Sequence, residues 1–217
     1  MSTVLASLQR RLEVIYGLDA GPDIGSFLID AEARFDHADG NRTGAETVFV
    51  READDEVQLA VYIDDDVLER LDRADPFTSL ADEGLNDLWL AIEGVSHFRY
   101  LTNRAYREFS VTLLELELQA EVDKFVTTWW LAREQGYRGM HAGLWRRLFV
   151  DTDFVADLSA EEAERYVVAN RYASYYCAAL QLFSGASHDS AVADLRQFYR
   201  YDQSAKFSEI HRQRLAG

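Results

Sequence analysis

Glu93 and His97 stand four residues apart in a stretch whose apolar residues recur with helical period, so one turn separates them on a common face. A carboxylate and an imidazole at that spacing can pass a proton between them. They can also offer an oxygen and a nitrogen to one divalent cation. Asn86 and Arg104 fall in the same stripe, which is roughly 40° wide at about 100° per residue. Apolar residues surround nearly the whole of the circumference, through Leu85, Leu88, Trp89, Leu90, Ile92, Val95, Phe98, Tyr100 and Leu101. A helix apolar on most sides is a central one, and polar groups on it need partners.

The next helical stretch supplies candidates for those partners. Glu115 projects among Leu114, Leu118, Val122, Phe125 and Trp129, while Glu117, Glu121 and Lys124 form a neighbouring stripe. An acid–base site drawn from these residues comprises Glu93, His97, Glu115 and Glu121; a metal site takes Glu93, His97 and Glu121. The bland alternative is a buried network fixing the register of two helices, with Asn86, Arg104 and Glu117 as members and Glu115 facing Arg104 or His97. The donor set has low specificity. Di-iron bundles use Glu-x-x-His on two helices, whereas this chain has one Glu-x-x-x-His and no second histidine on the partner helix. No cofactor is predicted beyond that divalent metal.

Stronger motifs are absent: there is no phosphate-binding glycine loop, no G-x-S-x-G, no H-E-x-x-H and no C-x-x-C. The Asp36–Asn41 segment has the composition of a calcium loop but not its spacing, because the position five residues before Gly40 is Phe35. His141 and His188 read as surface residues, the tyrosines at 166, 172, 175 and 176 as core and bundle edge, and Cys177 as a small buried hydrophobe.

The elements that must carry these groups are legible in outline. Val4, Leu8, Leu12 and Ile15 mark an amphipathic helix over 2–18, and residues 26–29 suit a short strand. Residues 36–44 suit a loop. Strands at 47–52 and 57–63 flank Ala53-Asp54-Asp55-Glu56 as a hairpin, and Asp64-Asp65-Asp66 opens a short helix to Leu71. Long helices follow at about 82–107 and 112–135, the second begun by a Thr112/Glu115 capping box and ended at Gly136. A short helix at 140–149, a second capping box at Ser159 opening a helix to about Phe183, and one or two final helices complete the chain. The fold class is α+β, predominantly helical, with a small N-terminal antiparallel hairpin sheet beside a bundle containing two long antiparallel helices. A single domain over 1–217 is expected, with an acidic subdomain at 1–78 and a helical bundle at 79–217.

Bulk composition narrows the function classes. The net charge is −16, and it is concentrated: residues 1–95 hold 22 Asp/Glu against 7 Lys/Arg, whereas residues 96–217 hold 16 against 15. Such a surface argues against nucleic acid, whose phosphates need clustered cations. No apolar run approaches the ~20 residues a bilayer span requires, and a single cysteine rules out an intramolecular disulfide framework. A cytoplasmic location is expected, and the 20 arginines against two lysines hint at a GC-rich bacterial source. The favoured expectation is a non-enzymatic interaction or regulatory protein whose acidic half meets a basic partner or another copy of the chain. The alternative is a metal-dependent or acid–base enzyme on the two long helices.

Overall fold

The alternation of Val57, Leu59, Val61 and Ile63 produces strand β3 (Glu56–Ile63), paired antiparallel to β2 (Glu46–Ala53) from Ala53 opposite Glu56 to Glu46 opposite Ile63. This computed structural model describes residues 3–37, 44–53, 56–137, 141–151, 159–180 and 188–216. The sheet is mixed, not purely antiparallel as expected. Strand β1 (Leu28–Ile29) lies parallel to β3 on the edge that β2 leaves open, giving the order β1-β3-β2. The cause is backbone satisfaction: the Val61 amide on that edge needs an acceptor, and the Phe27 carbonyl supplies it at 2.8 Å.

The chain forms two compact units, Met1–Arg11 with Ala20–Ser110, and Leu12–Asp19 with Val111–Gly217. Helix α1 (Thr3–Tyr16) therefore contributes to both. In the first unit, α4 (Leu85–Ala105) packs on β2 and β3, and α3 (Asp65–Arg73) packs on α4. Helix α3 starts as its acidic triplet predicts, with the Asp64 side chain accepting from the Asp66 amide at 3.0 Å. Val67 and Leu71 are its buried anchors. The core of this unit is built from Val4, Leu5 and Leu8, from Val61 and Ile63, and from Leu88, Ile92, Val95 and Phe98 of α4. Each such side chain contributes about 1.5–3 kcal/mol on leaving water. The loop expected from Asp36 starts later, because α2 (Ala31–His37) runs through that residue. Asp30 caps it, accepting from the Ala33 amide at 2.8 Å. The loop's remainder at 38–43, with the rejected calcium pattern, lies outside the described residues.

The second unit centres on α5 (Leu113–Glu134), which packs on α6 (His141–Phe149) and α7 (Ala160–Ala179). Helix α9 (Gln203–Ala216) packs on α7 in turn, and α8 (His188–Arg200) sends Leu195 and Phe198 into the core. Thr112 caps α5 by accepting from the Glu115 amide at 3.1 Å, and Gly136, at φ 81°, ends the last turn. The Ser159 capping box forms in both directions: its hydroxyl accepts from the Glu162 amide and the Glu162 carboxylate accepts from the Ser159 amide. The expected extension of α7 to Phe183 lies outside the described residues. Leu118, Val122, Phe125 and Trp129 line the buried face of α5 as their spacing predicts, and Cys177 is a buried free thiol. No helix is long and apolar enough to cross a membrane among the described residues.

Candidate metal centre

Helix α4 places Glu93 and His97 on one face, and the start of β2 places a third group beside them. That group is Glu46. One ligand atom from each of Glu46, Glu93 and His97 lies within 4.8 Å of the other two. His97 Nδ1 stands 3.6 Å from Glu46 Oε1, and both side chains are only 9% exposed. A separation of 3.6 Å is long for a hydrogen bond. It is close to the edge of a ligand polyhedron: bonds of ~2.1 Å set neighbouring donors about 3.0 Å apart in an octahedron and about 3.4 Å in a tetrahedron.

Charge is compatible with that use: two carboxylates, a neutral imidazole and a divalent ion sum to zero. Within an enclosed site the neutral set avoids the desolvation cost of a net charge. One nitrogen and two oxygens make a donor set suited to Zn²⁺, Mn²⁺ or Fe²⁺, and unsuited to soft ions that select thiolates.

The other residues singled out by sequence stand elsewhere. Asn86 is exposed in the first turn of α4. Arg104 is buried, donates to the Tyr100 hydroxyl at 2.7 Å, and lies over the Tyr100 and Phe109 rings. Sharing an angular stripe did not bring Arg104 to Glu93, because eleven residues of helix separate them by ~16 Å along the axis. Glu115, Glu117 and Glu121 belong to the second unit. There Glu115 is buried in the capped first turn of α5, and Glu117 sits 4.0 Å from Arg165. Glu121 accepts from Lys124 at 2.7 Å and from Asn170 at 3.4 Å.

Glu46 was missed because it precedes the strand expected at 47–52. Its signal lay in the hairpin register. The pairing that sets Ala53 opposite Glu56 also sets Glu46 opposite Ile63, a residue of the core-facing set. A carboxylate across from a core isoleucine is an inward charge in need of a partner.

The second unit hides a polar network of its own. Tyr16, Gln119, Asp123 and Lys206 are all fully buried. Tyr16 donates to Asp123, and Gln119 donates to Asp123 at 2.8 Å while its carbonyl accepts from Lys206. The amide thus relays between a carboxylate and an ammonium. Lys206 Nζ also lies 4.5 Å from the Phe198 ring centre, and Tyr16 stacks on Tyr199 with centroids 4.2 Å apart. Burial, and then the charge of Asp123, raises the Tyr16 hydroxyl well above its ordinary range. This arrangement joins side chains within a core.

No family model, curated protein or solved structure matches the chain.

Proposed function

We propose that this chain binds a divalent first-row metal ion, with Glu46, Glu93 and His97 as protein ligands, and that the ion fastens β2 to α4. The observation that carries the reading is the mutual approach of the three ligand atoms to within 4.8 Å in an enclosed position. Enclosure favours holding an ion over turning over a substrate, since a catalytic ion needs an open coordination position facing an accessible cavity. The ligands come from an edge strand and a helix far apart in sequence, so binding energy adds directly to the stability of the folded unit.

The test is titration of the chelator-treated protein with Zn²⁺ and Mn²⁺, followed by calorimetry and thermal unfolding. One ion should bind per chain, with a raised melting temperature, and His97→Ala should abolish both effects. No ion in the purified protein, together with no stabilisation by either added ion, would remove the reading.

A second reading keeps the acidic half as a face for a basic partner, favoured by α3. That helix exposes Asp65, Asp66, Glu69 and Asp72, while its Arg70 is held by Asp87 through two hydrogen bonds at 2.7 and 2.9 Å. Association with a basic protein that weakens steeply with salt supports this reading; salt-independent behaviour counts against it.

A further inference from the structure

We infer that Gly94 is the positioning residue of the metal centre: it is the notch through which Glu46 reaches Glu93 and His97. The inference rests on the proposed metal binding. Gly94 directly follows Glu93 and lies three residues before His97, in the middle of a 21-residue helix. An interior glycine costs a helix ~1 kcal/mol relative to alanine, so a physical return for its presence is expected. The packing supplies one. A Cβ on Gly94 would stand 3.2 Å from Cγ of Glu46, and 3.0 and 3.3 Å from Cδ1 and Cγ1 of Ile63. Carbon atoms in contact ordinarily keep about 3.5–4.0 Å.

Glu46 and Ile63 are cross-strand partners, so both side chains of that rung lie over the same glycine. The rung can approach the helix only where the helix has no side chain. Because Glu93 and His97 flank the notch, the carboxylate that passes over it arrives beside them. An alanine there displaces the rung by several tenths of an ångström, and metal sites keep their ligand distances within about 0.2 Å. Ion affinity is therefore expected to fall while all three ligand residues remain.

The experiment compares the wild type, Gly94→Ala, and Gly94→Ala with Ile63→Val, using the full chain. Zn²⁺ affinity is measured by calorimetry, and the visible absorption of bound Co²⁺ reports the coordination geometry. Unfolding of the metal-free proteins is followed alongside. Ile63→Val removes the Cδ1 that meets the new methyl first, so the double variant should recover part of the metal-free stability that Gly94→Ala loses. It should still bind Zn²⁺ at least tenfold more weakly than the wild type, with an altered Co²⁺ spectrum, because the contact with Glu46 persists. A double variant that binds Zn²⁺ with wild-type affinity and spectrum overturns the positioning role and leaves the metal reading intact. A wild type that binds neither ion overturns the metal reading itself, and the inference with it.

Discussion

Replacing Lys206 by methionine isolates the buried network of the second unit with almost no change in side-chain volume. In the folded protein Lys206 is fully buried and donates to the Gln119 carbonyl, whose amide donates to Asp123 at 2.8 Å. Lys206→Met removes the ammonium and leaves that carbonyl without its donor. A hydrogen bond to a charged group contributes about 1.5–3 kcal/mol, and stranding a buried acceptor costs about 1–3 kcal/mol. Removing one member of a buried charge set typically costs about 3–5 kcal/mol, in line with those two contributions together. The expected loss is therefore ~3–5 kcal/mol, a large fraction of the 5–15 kcal/mol of an ordinary domain. Urea unfolding at neutral pH measures it. Pairing the change with Asp123→Asn, which keeps an acceptor for Tyr16, removes both charges. The double variant should then lose less than the sum of the two single changes, by roughly 0.5–3 kcal/mol. A single-variant loss under ~1 kcal/mol, or strict additivity in the cycle, would refute the coupling argued for this network.

Two further outcomes are expected. Stability should fall in alkali beginning near pH 9, because burial, followed by the charges of Glu121 and Asp123, holds the folded Cys177 thiol well above its ordinary 9.0. The unfolded chain releases that proton first, so between the two values each pH unit costs ~1.4 kcal/mol. Tyr16 and Tyr176, both raised by burial above an ordinary 10.0, add to the slope beyond that pH. Cys177→Ala should move the onset from about 9 to about 10 in pH-resolved denaturation; an unchanged onset would sink the assignment. Glu108 follows α4 with a left-handed φ of 57°, where its neighbour's amide closes on the Arg104 carbonyl at 3.1 Å. Glu108→Gly should relieve ~1 kcal/mol of strain and raise the melting temperature by a few degrees. A lower melting temperature would contradict that account.

Local chemistry made much of the fold legible. The hairpin followed from alternation at Val57 to Ile63, α3 from its acidic cap, α5 from Thr112 and Gly136, and α7 from Ser159 with Glu162. Strand β1 was legible as a strand but not in its pairing, because two residues carry no register information and the choice of edge depends on what β2 leaves vacant. Two thirds of the candidate centre, Glu93 and His97, came from helical spacing alone. The third ligand required carrying the hairpin register back to Glu46, a long-range step that periodicity within one helix cannot supply. Arg104 shows the converse limit, since an angular stripe ignores distance along the axis. The Lys206 network was invisible for a related reason: Tyr16, Gln119 and Lys206 sit on three different helices, and nothing local marks them as neighbours.

The shared use of α1 has a bearing on how the polypeptide emerges during synthesis. The first unit has every one of its segments once Ser110 has been made, but the stretch Leu12–Asp19 belongs to the unit formed by the rest of the chain. Leu12, Ile15 and Tyr16 are buried in the finished protein. Until Val111 and the later helices arrive, they form an apolar half-helix still awaiting its unit, a species of the kind that invites premature association. The hydroxyl that Asp123 accepts from is thus translated well before Lys206 at the other end of the relay. A fragment beginning at Val111 would carry Lys206, Gln119 and Asp123 yet lack the tyrosine that completes their core. The natural seam for dividing this protein is therefore not a single cut between two lengths of sequence.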